Sequence, residues 1–167
     1  MRKILSLAAA LIVFMAAQAQ SGKDYEGELS IGGLAYKDNT FVMIETVHGR
    51  RVSPAFFIGG GVRTTYHGQS ITSEEVRRKL NSAGLAGFAD VKLYIAPERR
   101  FCPYLNMQGG VQGVLEWPGD KGAQNHCYVR PMLAGGIGCV YRRLVFGIYV
   151  GVNFESSEGG VKVGLRF

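Results

Sequence analysis

The chain has few of the residues that staple, punctuate or charge a protein. Of its 167 residues, 3 are Cys, 5 Pro, 3 His and 1 Trp, and only 19% are charged. Three cysteines is an odd number, so Cys102, Cys127 and Cys139 cannot all be paired with one another. The three histidines, His48, His67 and His126, form no close pair of the kind that holds a metal, and no metal or other cofactor is expected. The net charge of +6 falls to +4 without Arg2 and Lys3, too mild for a nucleic-acid footprint, and no nucleic-acid partner is expected. Beyond Ala19 no apolar run is long enough to cross a bilayer of ~30 Å as a helix. The Gly-rich pieces Gly59-Gly60-Gly61 and Gly135-Gly136-Ile137-Gly138 lack a following Lys-Ser/Thr and open no helix, so they are read as strand packing rather than phosphate loops.

What the chain does have is glycine, 24 residues, with 47% hydrophobic and 11% aromatic residues. The aromatic content is too high and the charge too low for a disordered chain. Glycine at this level argues against a helical protein, and no Gly-X-Y period points to collagen. The length allows one domain. Met1-Arg2-Lys3, the apolar stretch from Ile4 to Ala17 and the small-x-small ending Ala17-Gln18-Ala19 match a secretory signal peptide. Cleavage is expected between Ala19 and Gln20, leaving residues 20–167 as a β-barrel domain.

Over that domain the hydrophobic pattern has a period of two. Eight segments keep one frame throughout: 26–36, 41–48, 54–66, 88–96, 101–117, 127–141, 144–154 and 159–167. Leu144, Phe146, Ile148, Val150, Val152 and Phe154, for example, alternate with Val145, Gly147, Tyr149, Gly151 and Asn153. The apolar faces carry no charge. The polar faces carry Glu26, Glu28, Glu45, Asp90 and Glu116 against Arg63, Lys92, Arg130, Lys162 and Arg166. Five acids balancing five bases is what groups sharing an enclosed space require.

Alternation alone does not say which face is inside: a soluble barrel turns its apolar face inward, a membrane barrel outward. Four features favour the second. The polar face is rich in Gly, which weakens a solvent-facing strand but makes room for Tyr and Arg in a crowded bore. Aromatic residues of the apolar face gather at strand ends, Phe56, Phe101, Tyr141, Phe146 and Phe167 at one end and Tyr66, Trp117 and Phe154 at the other, as two interfacial girdles would. Short connections alternate with longer ones, notably 67–87 and 118–124, although 37–39 is short where a long one is expected. An even number of strands about 9–11 residues long closes a membrane barrel without free edges and puts both termini on one side.

At this point the chain resembles the small outer-membrane β-barrels of the OmpA/OmpX type, and more closely the porin-family outer-membrane β-barrel proteins. The ending Gly160-Val161-Lys162-Val163-Gly164-Leu165-Arg166-Phe167 carries the resemblance, together with Glu45-Thr46-Val47-His48-Gly49, Pro54 to Val62, and Phe88-Ala89-Asp90-Val91. It implies an eight-stranded antiparallel up-and-down barrel in the outer membrane with periplasmic termini. It also implies that Val161, Val163, Leu165 and Phe167 are the signal read by the barrel-assembly machinery, and that outer-membrane lipids surround the wall. It says little about activity, since the fold hosts adhesins, enzymes and structural proteins.

Further expectations concern function. The lumen charges read as a plug, because eight strands leave a bore just wide enough for side chains. In the 67–87 segment, Thr72 and Glu75 have capping-box spacing and Ile71 and Val76 staple spacing, which predicts a short helix running through Leu80 to a stop at Gly84. Arg77, Arg78 and Lys79 on it would offer a contact for an extracellular partner. The expected role is structural or surface interaction, without catalysis. The alternatives are a narrow pore for small solutes, a lipid-acting enzyme in which His67 or His126 meets a Ser and an acid at the outer rim, and a soluble periplasmic ligand-binding barrel. Cys102 and Cys139 fall at similar height on opposite faces, so they are expected as free thiols, with Cys127 the most reachable.

Overall fold

The computed structural model of the protein describes residues 24–36, 39–70, 79–118, 125–153 and 156–167. Eight strands close into an all-antiparallel barrel in chain order, and no helix occurs among the described residues. They are β1 (Tyr25–Tyr36), β2 (Asn39–Ser53), β3 (Phe56–Ser70), β4 (Lys79–Tyr94), β5 (Phe101–Pro118), β6 (His126–Tyr141), β7 (Leu144–Asn153) and β8 (Ser156–Arg166). The seam joins the ends of the chain: β1 pairs with β8 from Glu28↔Arg166 to Ala35↔Gly159.

Every frame read from the alternation holds. Glu28, Glu45, Arg63, Asp90, Lys92 and Lys162 are buried in the bore, while Ile31, Ile44, Leu85, Met107, Ile137, Ile148 and Val161 stand exposed on the outside. A soluble ligand-binding barrel would show the reverse, and a soluble monomer rarely exposes so continuous an apolar surface. The glycines of the inner face act as expected at close approaches. A Cβ on Gly138 would lie 2.4 Å from Tyr104 Cζ, and one on Gly61 would lie 2.5 Å from Phe88 Cζ, so bare backbone is what lets these rings pack against the wall.

Call the end carrying residues 24 and 167 the terminal end and the other the loop end. The terminal end has the turns 54–55, 95–100 and 142–143; Arg142 adopts a φ of 58°, the left-handed conformation that a two-residue hairpin turn demands. At the loop end the connections 37–38 and 154–155 are short, and 71–78 and 119–125 are longer. β8 begins at Ser156, three residues before the segment 159–167 that the alternation defines.

Two boundary readings are corrected. β4 begins at Lys79, not Phe88, and β3 reaches Ser70. The predicted helix thus cannot include Lys79, paired with Ser70 of β3, or Leu80 and Gly84, paired with both β3 and β5. Two backbone ladders outweigh a capping-box spacing. Its first part, with Ile71, Thr72, Glu75, Val76, Arg77 and Arg78, lies outside the described residues. As a result β3 to β6 form a wall taller than the rest: among the described residues, His67 to Ser70 of β3 have ladder partners only in β4, and His126 to Met132 of β6 only in β5.

Candidate functional site: the filled lumen

The bore is crossed by one connected set of charges. Glu28 of β1 accepts bonds from Lys92 of β4 and, at 2.8 Å, from Lys162 of β8. Lys162 also reaches Glu45 of β2 at 2.7 Å. Glu45 is gripped by Arg63 of β3 through two nitrogens, at 2.8 and 2.5 Å, and Arg63 continues to Gln108 of β5. Asp90 stands 3.5 Å from the Lys92 ammonium. The set joins β1, β2, β3, β4, β5 and β8. Glu45 and Asp90 are fully buried, and Lys92 and Arg63 are 1% and 2% exposed. Each charge faces an opposite one, which is the condition for burying ions at all.

Rings seal the network above and below. Tyr94, Tyr104, Phe57 and Val145 pack below it with Cys102, and Leu34, Met43 and Tyr149 above, where the Tyr149 hydroxyl lies 3.0 Å from Met43 Sδ. The Arg63 guanidinium lies 5.0 Å from the Tyr149 ring centre and 5.3 Å from that of Phe88.

The remaining predicted lumen residues sit nearer the ends. Glu116 accepts a bond from Tyr128 at 2.9 Å, and Arg130 holds Gln112 at 3.1 and 3.0 Å, both towards the loop end. Arg166 lies 3.9 Å from Glu26 at the terminal end. Three members were not read from sequence. Arg51 falls between the segments 41–48 and 54–66 that the alternation defines, yet β2 runs on to Ser53 with its bulge beyond Arg51, and delivers that residue to Glu26 at 2.6 Å and over the Tyr94 ring. Gln108 carries no charge and so escaped a count of charges. Glu158 lies within β8 and is buried, not in a turn.

Outside the bore, the girdle residues Phe101, Tyr141 and Phe167 stand exposed at the terminal end, with Phe56 beside them, and Tyr66 packs 6.4 Å from Trp117 towards the loop end. Phe154 lies outside the described residues, as do Ala19 and Gln20. Of the proposed assembly signal, Val161, Val163, Leu165 and Phe167 all face outward and exposed.

Neither a protein-family model nor a curated protein matches the sequence. Solved structures do. Ail, the attachment invasion locus protein of Yersinia pestis, solved in complex with the heparin analogue sucrose octasulfate, is 10% identical; the match covers 86% of this chain and 97% of Ail with a TM-score of 0.56. The N-terminal β-barrel domain of Pseudomonas aeruginosa OprF is 11% identical over 85% of this chain and 97% of its own, at 0.53. The outer-membrane enzyme PagL is 9% identical over 85% and 98%, at 0.50. The chain has the fold of the small outer-membrane β-barrels. At such identities the likeness is one of fold, and the fold accommodates both a surface protein and an enzyme.

The barrel's own geometry bears on catalysis. The register sets His67, Ser82 and Glu116 side by side on β3, β4 and β5, all facing inward. This is the meeting of His, Ser and acid on which the enzyme alternative turns, and His67 is in a strand rather than the expected loop. The order is wrong for a relay, because the serine lies between the other two. His67 Nδ1 is tied to Thr40 O at 2.8 Å, its Nε2 has no partner, and Glu116 is engaged by Tyr128. A base must hydrogen-bond its nucleophile and be oriented by a third group. Here no bond joins any two of the three. His126 is exposed at the rim, and His48 lies between Thr46, at 2.7 Å, and Tyr25 on the outer wall. Among the described residues, no group of His, Cys, Asp or Glu is gathered as a metal site.

Proposed function

We propose that this chain is an integral outer-membrane barrel with a plugged polar lumen, serving a structural or surface-contact role rather than conduction or catalysis. The observation that carries the reading is the bond between Glu28 and Lys92, which joins β1 to β4 across the bore, reinforced by Lys162 between Glu28 and Glu45. A conduit needs water along its axis; here side chains occupy that path and satisfy one another. The apolar outer wall and the similarity to Ail and OprF support the outer membrane as its place. On this reading residues 1–19 are removed on export, both termini face the periplasm, and the Val161-to-Phe167 ending engages the assembly machinery. The tall β3–β6 wall, with one side of β6 unpaired from His126 to Met132 among the described residues, supports contact with an extracellular partner at the loop end.

Fractionation and conductance test this together. The protein is expected in the Sarkosyl-insoluble membrane fraction, as a band whose migration shifts on boiling, and to give no current steps in a planar bilayer. Recovery in the soluble fraction would overturn the location, and steady ohmic steps from the unboiled form would overturn the plug.

A further inference from the structure

Two turns meet at the terminal end. Arg142 N, in the 142–143 turn, donates to Arg100 O, in the 95–100 turn, at 3.3 Å. Between them the turns present Arg99, Arg100, Arg142 and Arg143, all exposed. Elsewhere on this rim arginines are matched: Arg50 holds Asp24 at 3.0 Å and Arg51 holds Glu26 at 2.6 Å. Among the described residues none of these four guanidinium groups has a carboxylate partner, and Glu98, the acid of the same turn, bonds to none of them. Arg142 rests 5.7 Å from the Tyr141 ring centre, at the girdle. Four unmatched like charges on adjacent turns repel one another unless an anion joins them.

Immediately above, the outer wall of β5 to β8 carries a depression of about 560 Å³. It follows from side-chain size. Pro103 and Cys139, paired across β5 and β6, are short, and they are bordered by Phe146 and by the row Leu105, Ile137 and Ile148. The lining is almost wholly apolar, and the closed ladder behind it offers no free backbone group to a peptide. A second copy packed on this face about a two-fold axis would bring its own four arginines against these. An apolar trough continuous with an unmatched cationic end has the shape and charge of one kind of molecule.

We infer that this is a binding site for an anionic diacyl phospholipid, its phosphate held by Arg100, Arg142 and Arg143 and one acyl chain laid in the Pro103–Cys139 trough. Guanidinium forks suit phosphate oxygens, and basic clusters at helix or strand ends are the known means of selecting acidic headgroups. The inference rests on the barrel lying in a bilayer, as proposed above.

The test uses the full chain folded in nonionic detergent, lipid-depleted, and offered dioleoyl-phosphatidylglycerol or dioleoyl-phosphatidylcholine, with retained lipid read by native mass spectrometry. Phosphatidylglycerol is expected to be retained at least tenfold better. Retention should fall by about fivefold for each arginine removed in Arg100→Gln and Arg142→Gln. It should fall also in Cys139→Phe, which fills the trough, and should be unchanged in Arg50→Gln, on β2 away from these turns. Each variant is first shown to be heat-modifiable. A wild-type chain without that behaviour overturns the membrane reading and this site with it. A heat-modifiable barrel that retains both lipids equally, or whose preference survives the arginine and trough variants, overturns this site alone.

Discussion

Phe167 lays its ring over the bare Cα of Gly27: a Cβ at residue 27 would stand 2.4 Å from Phe167 Cε2. The backbones of the same two residues exchange bonds of 2.8 and 2.9 Å, so the last residue of the chain is docked on the first strand by both main chain and ring. The His48 ring approaches edge-on at 6.0 Å.

This relationship gives a first prediction. Deleting Phe167 removes the ring and two seam hydrogen bonds, and membrane-inserted protein in cells should fall sharply. Gly27→Val should evict the ring while leaving Phe167 in the sequence. If both variants reduce insertion, docking at the seam is part of what is read. If Gly27→Val inserts normally and the deletion does not, the terminal residue acts as a sequence signal alone. Quantitative blotting of the outer-membrane fraction separates the two.

Lys162 is the shared cation of Glu28 and Glu45. Lys162→Met leaves two buried carboxylates facing each other across the space it filled. Removing one partner of a buried pair costs about 3–5 kcal/mol, and the expected loss lies in that range. Glu28→Gln, which keeps a hydrogen-bonding group and leaves Lys162 paired with Glu45, should cost less. Urea unfolding from lipid vesicles measures both, with Trp117 as the only tryptophan and therefore a clean reporter.

Two glycines should respond in opposite directions. A Cβ on Gly110 would lie 2.1 Å from Gly87 O and 2.6 Å from Phe88 Cα, backbone atoms that cannot yield. Gly110→Ala should destabilise by about 1–3 kcal/mol, the usual range for overpacking. Nothing lies within 4 Å of a Cβ on Gly87, which faces outward. Gly87→Ala should be neutral or stabilise by about 0.4–1 kcal/mol, because it restricts the unfolded chain at no cost in the folded one. The same unfolding measurement decides both, and equal effects would count against the inner-face packing described here.

The cysteines report orientation. All three are free; Cys127 is exposed, Cys139 half-buried on the outer wall and Cys102 buried in the bore. A membrane-impermeant maleimide added to intact cells should label Cys127, near the loop end, and spare Cys102. Labelling only after the outer membrane is permeabilised would place the loop end in the periplasm instead.

Much of this molecule is legible in its sequence because a strand's period is two and a lipid-facing wall tolerates no charge. A single frame therefore assigned Glu28, Glu45, Asp90, Lys92 and Lys162 to one enclosed face. What escaped has physical reasons. The first half of β4 reads Ser82-Ala83-Gly84-Leu85-Ala86-Gly87, small residues with little apolar contrast, whose strand state comes from ladders on both sides rather than from their own pattern. Arg51 closes the polar run Gly49-Arg50-Arg51, which has no apolar alternation to mark it as strand, and it is the ladder to Phe57 that carries β2 through it. Which acid meets which base was not legible at all. Glu28 and Lys92 stand 64 residues apart, and their meeting depends on the strand stagger around the closed barrel.

The uneven wall has a consequence for how the molecule forms and fails. Ladders among β3, β4, β5 and β6 are long and join neighbours in sequence, so they can form early at low entropic cost. The β1–β8 ladder is short and waits until the two ends of the chain meet, and Lys162 reaching Glu28 closes a loop of 134 residues. Closure there should be the slow event of folding, and thermal opening should begin there. A buried ion pair, not a broad ladder, then sets how long the barrel stays shut.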